Sequence, residues 1–254
     1  MSFDACEKLV KTGDPDRWLS AQSALPEARK ALMAIYAVNL EIARAPWASP
    51  EPLVAQIRLQ WWADEIGKIY HGQVVDSHEI LPALRKVIFE HNLPRGLFET
   101  LIEARHFDLG TAPHDGQTGF DRYITGTAGS VMGLAATALG ATPAHLPVIH
   151  DFAYGAGVAA LVRAAPELLA RGRSPLPDAI SDHVVKARKR IAKARKQRGH
   201  LPPALTPALL AGWRANTTLN LAYKRPENIQ LGLLEESPAY KMASLRWRRL
   251  TGRW

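Results

Sequence analysis

Apolar residues recur at helical spacing along nearly the whole chain. Ala31, Leu32, Ile35, Tyr36, Val38, Asn39 and Ile42 form one apolar face with its flanks. Leu53, Ile57, Trp61 and Ile69 stand four residues apart, with Glu65 filling the remaining step. The same period predicts helices over 79–91, 94–108, 118–139, 144–169, 179–197, 204–223 and 238–250. Between them lie breaks at Ala45-Pro46, Ser49-Pro50, Asn92-Leu93-Pro94, Ala112-Pro113, Thr142-Pro143, Pro175 to Pro177, Pro202-Pro203 and Arg225-Pro226. Proline lacks an amide donor and restricts the residue before it, so these are turn signals. No β-branched alternation is long enough for a strand. No repeat or low-complexity linker divides the chain. The pattern therefore predicts an all-α protein, one domain over 1–254, with a basic tail at about 238–254.

Composition narrows the partners. Of 254 residues, 22% are charged and the formal net charge is +8. That excess favours phosphates, acidic lipid head groups, nucleic acid or an acidic protein, and does not choose among them. A single cysteine, Cys6, rules out an internal disulfide framework and a Cys-rich metal site. The first residues carry acids and no apolar core, unlike a secretory signal, and are not the Arg/Ser-rich type of a transit segment. The longest uncharged apolar stretch, Thr127 to Thr142, is shorter than the roughly 18 residues of a membrane span. The expected setting is bacterial cytoplasm, with peripheral attachment at the inner membrane.

Several motif classes are missing. The nine histidines form no HxxxH or HExxH pair, and GxGxxG, GxxxxGK[ST] and GxSxG do not occur. Two runs stand out instead. From Lys186 to Arg198, eight of thirteen residues are Lys or Arg. They form either a solvated helix face over the thin stripe Val184, Ala187, Ile191 and Ala194, or a surface for acidic lipid or protein. Aromatics for base stacking are not interleaved, which argues against nucleic acid. In RLQWW, adjacent tryptophans point in different directions, so at least one belongs to the core. Arg58 and Trp61 are one turn apart and can share a wall.

The order of segments from about Asp16 to Tyr223 resembles the squalene/phytoene synthase family. Asp16-Arg17-Trp18 followed by RKALMAIYAVNLEIA is similar to its first helices, and RLQWWADEIGKIYHG to the next. LIEARHFDL (101–109), YITGTAGSVMGLAATALG (123–140) and RGRSPLP (171–177) resemble later ones. The resemblance implies a helical bundle around a central cavity. It also implies two acidic clusters on facing helices, holding magnesium ions that grip diphosphates.

Those clusters are missing here. The first falls on Ala43, Arg44, Ala45, Pro46 and Trp47, and the second on Arg163, Ala164, Ala165, Pro166, Glu167 and Leu168. Glu167 is the one acid left, and Gly157 and Ala160 stand where the family has Gln and Asn. The expectation is a non-catalytic protein that needs no cofactor and binds an isoprenoid, another lipid, a diphosphate or a protein. RAxP, RLQWW and the basic SLRWRRLTGRW also resemble the branch of the family that serves respiratory complex I assembly.

On that reading Tyr123, Arg163, Arg171 and Arg173 line the remaining cavity and its rim, with Arg58 and Trp61 as a further wall. A plainer reading pairs Arg163 with Glu167, leaves Arg171 and Arg173 as solvated turn residues, and pairs Asp108 with Arg105. The alternative is an active prenyltransferase that recruits Glu41, Asp64, Glu65, Asp108 and Glu167 as new magnesium ligands. Asp178 and Asp182 form the chain's one DxxxD, outside the expected position, and Asp178 reads as a helix cap.

Overall fold

The computed structural model describes residues 2–49, 51–111, 114–173 and 176–254. Among them there are helices and turns and no strand. Three of the expected turn prolines, Pro50, Pro113 and Pro175, lie outside the described residues, as do Ala112 and Ser174.

The chain runs through α1 (Ser2–Gly13), α2 (Pro15–Ala21), α3 (Pro26–Arg44), α4 (Pro52–Tyr70), α5 (Leu81–His91), α6 (Arg95–Arg105) and α7 (Gly116–Ile124). There follow α8 (Ser130–Ala138), α9 (Leu146–Ala170), α10 (Ile180–Lys196), α11 (Thr206–Leu210), α12 (Ala215–Lys224), α13 (Glu227–Gln230) and α14 (Pro238–Thr251). Proline opens α2, α3, α4 and α14, where its missing N–H would have no partner anyway.

Helices α3 and α9 form the centre. From Ala31 to Val38 every residue of α3 is buried, against α1, α5 and α8. Helix α9 packs on α8, α10 and α12. The approach of α10 requires a glycine: a Cβ on Gly155 would stand 2.6 Å from Ile191 Cδ1 and 3.1 Å from the Ala187 carbonyl oxygen. Val184, Ala187, Ile191 and Ala194 are all buried, so the thin stripe read in the basic run is the face α10 turns to the bundle.

The structure departs from the sequence pattern at several places. The helix expected over 204–223 is broken by a turn at 211–214. That turn seats Gly212 on α9, where an added Cβ would be 2.8 Å from Ala156 Cβ and from Phe152 Cε1. The helix expected over 118–139 contains a π-helical turn, Thr125–Gly129, between α7 and α8. In agreement with the helix expected over 144–169, α9 runs through Pro166 to Ala170. The helix expected over 238–250 is present as α14, so the basic tail is largely helical.

Asp178 is no cap, because α10 begins after Ala179 without a side-chain cap bond. In α4 the spacing-of-four stripe is buried only in its second half, at Glu65 and Ile69. Leu53 and Ile57 are 66% and 60% exposed, while Ala55, Leu59, Trp62 and Ile66 face inward. One segment, Pro143–Ala170, is long and apolar enough by length and composition to cross a membrane. It was hidden in the sequence by Asp151, Arg163 and Glu167, and 56% of its most apolar window is buried in the bundle.

Candidate functional site

A cavity of about 300 Å³ opens between α3, α6, the π turn and α9. Its walls include Asn39, Ala43 and Trp47 from the α3 side and Gly157, Ala160, Ala164 and Leu168 from α9. The two segments that the resemblance singles out therefore face each other, and four of their positions line one space: Ala43, Trp47, Ala164 and Leu168. Arg44 turns away, pairs with Glu41 at 3.4 Å and lines a different cavity. A second space of about 110 Å³ adjoins the first, sharing Arg17, Ala128, Val131, Gly157 and Ala160.

On the side of α6 and α7 the polar groups of the wall are paired with one another. The Tyr123 hydroxyl donates to Asp108 at 3.0 Å and accepts from Arg105 at 3.0 Å. Arg105 donates to Asp108 at 3.0 Å, so the local pairing read from the sequence is present. Burial pushes the Tyr123 phenol well above its ordinary range, with the Arg105 charge opposing. Tyr123 is thus a neutral donor.

Arg163 does not pair with Glu167. It donates to Thr218 at 3.0 Å and lies 3.9 Å from Glu235. Burial, then the nearby Arg214 charge, lowers its pKa. Glu167 is held instead by Arg171 at 2.5 Å, one helical turn on.

The rim is built on Trp47. The guanidinium carbons of Arg171 and Arg173 lie 5.5 Å and 5.0 Å from its ring centroid. Arg173 also donates to the Gly110 carbonyl oxygen. Arg171 remains a half-exposed turn residue, as the plainer reading has it, and neither arginine is among the residues that line the cavity; both reach it through Trp47.

Arg58 and Trp61 do share a wall, but of another cavity. With Glu41, Arg44, Ile57, His78 and others they line about 460 Å³ beside α4. Trp62 is the core member of the pair, and Trp61 meets it edge-on with centroids 4.9 Å apart.

Sequence reasoning missed one centre. Arg214, 6% exposed, donates to Asp16 at 2.6 Å, Glu235 at 2.7 Å and Glu236 at 2.8 Å. Burial works against its charge, and these three carboxylates outweigh burial and raise its pKa. It lines the smaller space with Asp14, Asp16, Arg17 and Arg163. No local motif marks it, because its partners are up to 198 residues away.

These donors do not fit a magnesium–diphosphate grip. Of the five acids the prenyltransferase alternative would recruit, only Asp108 lines the cavity, and it is engaged by Arg105 and Tyr123. Glu41, Glu65 and Glu167 are tied to Arg44, Lys68 and Arg171, and Asp64 accepts from Gln60. Among the described residues no three His, Cys, Asp or Glu side chains gather as a metal site.

The model for the squalene/phytoene synthase family matches residues 10–205. The chain belongs to the squalene/phytoene synthase family. Its fold is that of solved family enzymes. A dehydrosqualene synthase superposes with a TM-score of 0.83 at 15% identity, covering 98% of this chain and 96% of that one. Squalene synthase HpnC from Alicyclobacillus acidocaldarius gives 0.63 at 18%, covering 99% and 94%. Among curated relatives, the chain is similar to the NADH dehydrogenase (ubiquinone) complex I assembly factor 6 homolog of Dictyostelium discoideum. That match is 24% identical over 235 residues, covering 80% of this chain and 64% of the relative. Complex I assembly factor 6 of Mus musculus is 22% identical over 174 residues, covering 68% and 52%. The chain thus spans from about half to just under two thirds of these relatives' length.

Proposed function

We propose that this chain is a non-catalytic member of its family. It takes a lipid or lipid diphosphate into the retained cavity without metal, and serves respiratory complex I assembly at the cytoplasmic face of a bacterial inner membrane. The observation that carries this reading is the lining: Ala43 and Trp47 face Ala164 and Leu168 where opposed carboxylates would hold magnesium. Without those acids an allylic diphosphate has no metal to take up the charge of its leaving oxygens. An anion can still be held at the rim by Arg171 and Arg173, as a guanidinium fork binds phosphate oxygens directly. The similarity to named assembly factors supports the role, and the positive charge supports an anionic partner.

The test is thermal melting with farnesyl thiodiphosphate, with magnesium and with EDTA. A ligand at a hundredfold excess over Kd adds about 2.7 kcal/mol to stability. Stabilisation that survives EDTA is expected, with no pyrophosphate released from farnesyl or geranylgeranyl diphosphate. Stabilisation that requires magnesium, together with turnover, would return the chain to the active prenyltransferases. In the host, deleting the chain is expected to lower assembled complex I while leaving isoprenoid products unchanged.

A further inference from the structure

Helix α14 has two unlike faces. Leu245 is 2% exposed and holds the helix to the bundle. On the opposite side Tyr240, Ala243, Trp247 and Leu250 follow at steps of three, four and three, a single helical stripe. Tyr240, Trp247 and Leu250 are 50%, 62% and 85% exposed. Such a stripe has no reason to be apolar if it meets only water.

Charge identifies what covers it. Residues 238–254 contain five Lys or Arg and no Asp or Glu. Arg246, Arg249 and Arg253 are exposed around the stripe. The nearest acids in the chain, Glu235 and Glu236, are engaged by Arg214, with Lys241 also on Glu235. A groove of about 520 Å³, with Glu27 and Gly252 among its walls, lies at the end of the helix. Leu25, Leu139, Pro207 and Leu210 line it, and Arg249 reaches it while donating to the Gln22 carbonyl at 3.0 Å.

A short helix with Trp, Tyr and Leu on one face and arginines flanking them matches the boundary of a bilayer. There the aromatic rings sit at head-group level and the guanidinium groups meet phosphates. We infer that α14 lies in the interface of a membrane carrying anionic phospholipid, with Trp247 and Leu250 inserted and Arg246 and Arg253 on the head groups. This surface is separate from the diphosphate cavity, so either assignment can fail while the other stands.

The experiment is flotation of the full chain with phosphatidylcholine vesicles, with and without phosphatidylglycerol. Binding is expected only with phosphatidylglycerol, and is expected to weaken as salt rises. Trp247→Ser/Leu250→Ser and Arg246→Gln/Arg253→Gln are each expected to weaken it at least tenfold, with melting temperatures unchanged because all four residues are exposed. Lys189→Gln/Lys196→Gln, on the outer side of α10, should bind as the parent does. The inference is overturned if the folded parent ignores phosphatidylglycerol vesicles. It is equally overturned if the α14 variants bind undiminished, or if the α10 variant alone loses binding. Loss of a protein complex by the α14 variants, with vesicle binding intact, would mean that the stripe docks a protein and would also overturn it.

Discussion

Trp47 and Arg173 pack face to cation at the cavity rim, 5.0 Å from ring centroid to guanidinium carbon. Arg171 shares the same ring from 5.5 Å. Trp47 is thus the platform for two cations, and it lines the same cavity as Ala43, Ala164 and Leu168.

Removing the platform should release both arginines. Each exposed cation–π contact contributes about 0.5–1 kcal/mol. Trp47→Ala is therefore expected to weaken metal-free binding of farnesyl thiodiphosphate by about five- to thirtyfold, the equivalent of one to two kcal/mol. Trp47→Phe should retain most of the affinity. Titration calorimetry in EDTA measures both, and an unchanged Kd in Trp47→Ala would mean that the anion is held elsewhere.

Introducing acids into the cavity wall tests the same geometry in reverse. Ala43, Trp47, Ala164 and Leu168 already line one cavity. Replacing all four by Asp should create a magnesium requirement for diphosphate binding where the parent has none. A melting temperature that rises with magnesium only in the quadruple variant is the expected result. A magnesium response in the parent itself would show that other acids already serve as ligands.

Arg214 is expected to be the most sensitive charged residue for stability. Its guanidinium meets Asp16, Glu235 and Glu236, and Glu236 is itself buried, with a side chain 4% exposed. Removing one member of a buried ionic set typically costs about 3–5 kcal/mol, because its partners keep their charge without compensation. Part of that is recovered here, since Asp16 and Glu235 reach solvent. Arg214→Met should lower the denaturant midpoint without altering the slope. Arg214→Lys should rescue little, because one ammonium cannot serve three carboxylates along a planar fork.

The helices and the cavity wall were legible in the sequence for different reasons. Period alone located α3, α9 and α10, because each turns a continuous apolar face to the core. It misassigned the first half of the α4 stripe, where Leu53 and Ile57 point to solvent and the smaller Ala55 with Leu59 and Trp62 is buried. Spacing cannot tell a core stripe from an exposed one when both are apolar. The facing of Ala43 and Trp47 with Ala164 and Leu168 followed from the resemblance to a family, since nothing about alanine or leucine by itself marks a cavity wall. The pairing of Glu167 with Arg171 in place of Arg163 was beyond local reading. Both arginines are four residues from Glu167, and the positions of Thr218 on α12 and of Glu235 draw Arg163 away. The Arg214 centre was illegible for the same reason, being assembled from segments far apart in the chain.

Acid should destabilise the protein in two steps. His183 is buried between α7, α9 and α10, beside Asp121 at 3.6 Å and the Tyr154 hydroxyl at 3.2 Å, with Phe120 against its ring. Lys186 binds the same Asp121. Burial, chiefly, holds the His183 pKa below its ordinary 6.5, although Asp121 pulls the other way. The folded state thus resists a proton that the unfolded chain accepts. The stability that neutral His183 preserves is complete above about 6.5 and falls as pH drops from there toward the folded pKa. Asp121 and Asp151 behave as depressed acids. Burial raises them, but bonds from Lys186 and Tyr154, and from Lys193 and Arg190, outweigh it. Their contribution is present above their ordinary 3.8 and is lost as pH falls below it. Melting temperature against pH should therefore decline first below about 6.5 and again below about 3.8. His183→Gln cannot take up the proton and should flatten the first decline while leaving the second. A first decline of unchanged size in His183→Gln would assign it to His150, whose pKa burial also lowers.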